Sequence, residues 1–187
     1  MTCHRALLIG ACAGLLLAGC SKGSGQRPIK TEPIASGAGT IEGERKRLEG
    51  RWTLVSLTVT PENGVAAAVD ATGVMTFDDF GNLQIEYRMS DAGRRTLEGL
   101  GIRVPGPVLS TSGSVAIDPV TKQITYVGSE NQKRALGFDP DLAARRANPF
   151  TLERVRHYEF EPGGDLTLTT RHEGGSAAAE ARWKRAS

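Results

Sequence analysis

Leu83-Gln84-Ile85-Glu86-Tyr87-Arg88-Met89 alternates without a break: Leu83, Ile85, Tyr87 and Met89 fall on one side of an extended chain, Gln84, Glu86 and Arg88 on the other. Successive side chains of a strand point to opposite faces, so the stretch predicts a strand with one apolar face turned to a core. Asp78-Asp79-Phe80-Gly81-Asn82 just before it is a turn cluster, and Gly73 to Asp78 reads as the partner strand. Further back, Trp52 to Thr60 is crowded with β-branched residues and stops at Pro61-Glu62-Asn63-Gly64.

The same grammar continues forward. Ser90 is placed to cap a short helix through Thr96 and Leu97, closed by Gly99 and Gly101. Ser112 to Asp118 and Gln123 to Gly128 flank a turn at Asp118-Pro119-Val120-Thr121-Lys122. Asp139-Pro140 opens a second helix through Arg146, which Asn148-Pro149 stops. Leu152 to Phe160 and Leu166 to His172 make a hairpin around Glu161-Pro162-Gly163-Gly164-Asp165. Glu180 to Arg185 reads as a closing strand, against the helix propensity of Ala177 to Ala181. About eight strands joined in succession predict an all-β protein: an up-and-down antiparallel barrel with one or two short helices. Such a barrel encloses its own side chains or one small ligand. The first strand carries a tension. If Trp52 points inward, strict alternation sends Leu54, Ser56 and Thr58 inward too and leaves Val55, Leu57 and Val59 outside, in need of cover.

The amino terminus speaks of address. Met1-Thr2-Cys3-His4-Arg5 precedes an apolar run from Ala6 to Leu17 and then Ala18-Gly19-Cys20, the pattern of a secretory signal. The run is shorter than the roughly 20 residues of a membrane span. Leu17-Ala18-Gly19-Cys20 resembles the lipobox of bacterial lipoproteins. That resemblance implies cleavage after residue 19 and acylation of Cys20, a stable anchor because each buried methylene contributes about 0.8 kcal/mol. With Ser21 next, it also implies a cell-envelope protein held to the outer membrane and facing the periplasm. Residues 20–47 then read as the lipidated cysteine and a tether, rich in Ser, Gly and Pro as far as Gly43, with a root-mean-square reach of about 25–30 Å. Glu44 to Glu49 reads as a short helix stopped by Gly50, and 48–187 as the barrel domain.

Leu48-Glu49-Gly50-Arg51-Trp52-Thr53-Leu54-Val55-Ser56 resembles the opening of the bacterial lipocalin-like domain family, whose first strand starts with G-x-W. Ala71 to Phe77 with Gly81-Asn82-Leu83, Arg156 to Phe160 with Gly164 to Thr169, and Arg182-Trp183-Lys184-Arg185 are similar to its later hairpins and closing strand. The resemblance implies that Gly50 turns the chain into the barrel and that Trp52 plugs its closed end. A basic side chain near the carboxyl terminus would then lie across the indole; Arg182, Lys184 and Arg185 are candidates and Arg185 is favoured. It also implies a barrel that binds a small apolar or amphipathic ligand, or a membrane-proximal binding module. Leu83, Ile85, Tyr87, Met89, Tyr126 and Tyr158 are then the candidate ligand-facing residues. The alternative is a filled barrel acting through an envelope protein partner.

Chemistry is scarce. The chain has 187 residues, 23 Lys+Arg against 21 Asp+Glu, and a formal net charge of +2, which gives no electrostatic case for nucleic acid. All three cysteines lie at or before Cys20, so the domain holds no disulfide or thiolate metal site. His157 and His172 are too few for a zinc centre and read as strand-face residues. Asp78-Asp79 and Asp139-Pro140-Asp141 lack the spacing of a calcium loop. Neither a G-x-S-x-G nor a P-loop is present. No catalytic residue, metal or cofactor is assigned.

Overall fold

A computed structural model describes residues 37–127, 148–151 and 154–186. The predicted helix from Asp139 and the turn residues Asp139 and Asp141 lie outside these residues. Among the described residues, nine strands and two helices follow in the order α1 (Ile41–Leu48), β1 (Gly50–Val59), β2 (Ala67–Ala68), β3 (Ala71–Phe77), β4 (Asn82–Met89), α2 (Asp91–Gly99), β5 (Val108–Asp118), β6 (Gln123–Tyr126), β7 (Arg156–Phe160), β8 (Leu166–Arg171) and β9 (Ala177–Arg185). Each long strand pairs antiparallel with its neighbour in sequence, and β9 returns to pair with β1 from Trp52↔Arg185 to Val59↔Ala179. The result is a closed, up-and-down barrel of eight strands, with β2 a short addition beside the end of β1. Closure removes the sheet edges that would otherwise offer unpaired N–H and C=O groups.

The tension in the first strand is resolved by one extra residue. Leu54 pairs with Trp183 and Ser56 with Arg182, so Val55 has no opposite number and stands in a β-bulge. Trp52 and Leu54 face inward before the bulge, and Leu57 and Val59 face inward after it, both almost wholly buried. Strict alternation was therefore the wrong rule past Leu54: Val55 is 54% exposed, and Ser56 rather than Leu57 meets solvent. No covering helix is needed there.

Both helices begin where a hydroxyl can cap them. Thr40 accepts from the Gly43 N–H, and Ser90 accepts from the Gly93 N–H while its own hydroxyl donates to Asp70. Helix α1 starts three residues before the predicted Glu44. The reason is burial. Glu44 and Leu48, one turn apart, both turn into the protein. Asp78 serves the β3–β4 turn, accepting from the Phe80 and Asn82 N–H groups and from the Asn82 amide.

The inner faces supply one continuous core in which Trp52, Met75, Phe77, Leu83, Ile85, Ile124, Leu166 and Trp183 are each 2% exposed or less. Ala177 to Ala181 is strand despite its helix propensity, because β8 and β1 hold it on both sides. Removing the bulge should be tolerated, since deleting Val55 keeps Leu57 and Val59 inward. Deleting Thr58 turns Val59 outward and forfeits about 2 kcal/mol of burial. Thermal melts should show the first deletion near wild type and the second clearly lower; the reverse order would contradict the register.

Candidate functional site

The end of the barrel nearest α1 is built around Trp52. Its indole Nε1–H donates to the Leu48 carbonyl at 2.9 Å, and the Arg185 guanidinium lies 4.3 Å from the ring centroid. Arg185 also donates to the carbonyls of Glu49 and Arg47, the latter at 2.6 Å. A helix ends with unsatisfied carbonyls and a partial negative charge, and one tryptophan and one arginine satisfy three in succession here. Gly50 has φ 121°, a conformation that favours glycine, and a Cβ there would displace the Arg185 guanidinium, which it would meet at 2.8 Å.

The same end holds a buried charge. Glu44 is fully buried, and one carboxylate oxygen accepts from Lys122 Nζ at 3.0 Å and from Arg47 Nη1 at 3.3 Å. Tyr158 packs beside it, with Lys122 5.6 Å from its ring centroid. Burial alone would push the Glu44 carboxyl up, but Lys122, Tyr158 and Arg47 outweigh it and hold it below the usual range. Burial and this carboxylate together push the Tyr158 phenol up. Because the folded-state pKa is depressed, Glu44's contribution is complete above the unfolded value and fades as pH falls through the folded one. Comparing Glu44→Gln with wild type by denaturant melts should show a deficit of about 1–3 kcal/mol at pH 7 that shrinks below about pH 4. A deficit constant across that range would exclude the ionised pair.

Six side chains were expected to face a ligand. Leu83, Ile85, Met89, Tyr126 and Tyr158 are all at most 5% exposed and pack against one another in the core. Tyr87 borders a gap of about 20 Å³ shared with Leu57, Phe150, Arg156, Thr170 and Ala181, and Tyr158 lines a groove of about 430 Å³ along β7 and β8. The gap beside Tyr87 is room for about one water. Phe150 drops into the barrel with its ring edge-on to Tyr87 at 5.5 Å, and Tyr87 meets Trp183 on its other side at the same distance. Burial pushes the Tyr87 phenol up against the pull of nearby Arg156. Arg156 is itself buried, 4.9 Å from the Tyr126 ring centroid, and donates to the carbonyls of Arg154 and Thr151.

Outside this gap, at the end opposite α1, a groove of about 410 Å³ runs between Thr60, Pro61, Leu100, Ile102, Pro149 and Ala178. His172 closes one side by bonding to the Thr60 carbonyl at 2.7 Å. Arg156 carried a legible signal, since alternation in Arg156-His157-Tyr158-Glu159-Phe160 puts it inside with Tyr158. Phe150 carried none.

No family model and no curated protein matches the chain. Among solved structures, a redesigned β-barrel aligns over 76% of this chain and 95% of its own length, at 16% identity and a TM-score of 0.33. That likeness is too loose to bear on function.

Replacing Phe150 by alanine should cost about 3–4 kcal/mol and enlarge the gap against Tyr87. Xenon or benzene should then bind the variant, detected by ring-proton shifts at Tyr87, and leave wild type unaltered. Equal binding to both would show that the interior is not filled.

Proposed function

We propose that this is a lipid-anchored envelope protein whose barrel is a filled scaffold, acting as a membrane-proximal binding module through its outer surface. The observation that carries the reading is the gap beside Tyr87, which at about 20 Å³ is far below the roughly 300 Å³ of a small-molecule site. The anchor is read from Leu17-Ala18-Gly19-Cys20, with the outer membrane and the periplasmic side as its implied address. Exposed apolar groups support closeness to a membrane. Phe80 is 81% and Val120 87% exposed, on turns that α1 touches through Arg45 and Glu44, and Ile41 on α1 is 58% exposed. A second reading, a small apolar or amphipathic ligand held at the barrel mouth, is favoured by the 410 Å³ groove with its Leu100, Ile102 and Pro149 lining.

Three assays test these readings. Palmitate labelling in the host should mark the wild-type chain and be lost in Cys20→Ala; an unlabelled wild type removes the anchor. Native mass spectrometry of host-purified protein should show no stoichiometric lipid, while crosslinking in intact cells should yield one reproducible protein partner. A co-purifying lipid that a fluorescent fatty acid displaces would overturn the filled scaffold in favour of the mouth.

A further inference from the structure

A second groove, of about 430 Å³, runs along the outside of β7 and β8, from Arg47 and Lys122 at the α1 end to Arg171 beside the β8–β9 turn. Three cations reach it from three separate elements: Arg47 from α1, Lys122 from the β5–β6 turn and Arg171 from β8. His157 and the hydroxyls of Thr121 and Thr169 complete the polar wall, with Glu159 the one carboxylate on its rim.

The cations are held rather than waving. Lys122 and Arg47 share one oxygen of Glu44, which lies fully buried behind them, and Arg47 also rests 4.0 Å from the Phe160 ring centroid. Lys122 stands in the left-handed backbone region at φ 54°, a conformation uncommon outside glycine that the turn fixes through Asp118. Arg171 donates to the Gly175 carbonyl at 2.9 Å. Lys122 and Arg47 nonetheless remain 43% and 47% exposed while lining the groove. A buried carboxylate that fixes two cations at a surface cleft pre-organises them, and pre-organised donors bind an anion with less ordering cost.

We infer that this groove binds a phosphate-bearing ligand. A tetrahedral dianion offers several acceptor oxygens to donors converging from different sides, which suits three cations and two hydroxyls better than a planar carboxylate does. The volume exceeds that of a bare phosphate, leaving space beside Phe160 for the group that carries it. The neutral state of His157 fits such a wall: burial, and then Arg171, lower its pKa and leave an N–H to donate without adding charge. The inference goes beyond the surface-module reading and does not depend on acylation of Cys20.

The test is calorimetric titration of the full-length protein in mild detergent with inorganic phosphate, glycerol 3-phosphate and dihexanoyl phosphatidic acid, with acetate as the control anion. Saturable binding is expected for at least one phosphate probe. It should weaken about ten-fold in Arg171→Gln and in Lys122→Gln and be unchanged in Arg94→Gln, whose guanidinium pairs with Asp91 on α2. Equal affinity for inorganic phosphate and the lipid assigns a free phosphate. A strong preference for phosphatidic acid assigns a lipid headgroup. Arg171→Gln decides the matter if Lys122→Gln unfolds, because the Arg171 guanidinium bonds to an exposed turn, at the Gly175 carbonyl, and not to a buried group. No saturable binding of any phosphate probe, acetate binding as tightly, or an Arg171→Gln variant indistinguishable from wild type would each overturn the inference.

Discussion

Three backbone carbonyls at the end of α1 hold the architecture in register. Arg47, Leu48 and Glu49 would otherwise end a helix on unsatisfied acceptors. Instead the first strand supplies the Trp52 indole and the last strand supplies the Arg185 guanidinium. One cluster therefore joins the helix to both sides of the seam that closes the barrel. Its electrostatics are favourable twice, since a cation belongs both at a helix carboxyl terminus and over an indole face. The second helix-to-barrel tie, from Glu44 to Lys122, sits a turn earlier on the same helix, so α1 works as a floor rather than as the end of a tether.

A closed barrel of eight strands has little internal volume, and this one gives it to its own side chains. Small residues mark the places where large ones intrude: Gly73 accommodates Trp183, and Ala179 and Ala181 border the gap near Phe150. The packing joins the barrel from end to end through aromatic contacts, Phe150–Tyr87–Trp183 on one side and Trp52–Phe160–Tyr158 on the other. Outside the barrel lie two larger grooves, of about 410 and 430 Å³. The mouth groove mixes Leu100, Ile102 and Pro149 with Glu62, Arg154 and Glu173, and the other groove gathers Arg47, Lys122 and Arg171.

Much of the fold was legible because alternation is a local signal. Leu83 to Met89 declared a strand and its buried face, and Ser90 declared the start of α2 through its hydroxyl. The bulge at Val55 was not legible, since an extra residue in a strand looks like any other until its partner strand is known. The start of α1 was missed because Ile41-Glu42-Gly43 reads as linker until the burial of Glu44 and Leu48 pulls it into the helix. The site was harder. The apolar stripe could be read, but whether it lined a cavity depended on Phe150, which reaches the barrel from a distant loop. The phosphate groove gathers residues from positions 47, 122 and 171, and no spacing along the chain announces that meeting.

Hydrogen exchange followed by NMR at the seam addresses the central claim most directly. The Trp52 indole N–H and the backbone amides from Ala179 to Trp183 should be among the slowest in the protein, with nuclear Overhauser contacts between Trp52 and Arg185 and between Leu57 and Ala181. Fast exchange along β9 with those contacts missing would mean an open sheet, and the floor, the filling and the outer grooves argued from closure would go with it.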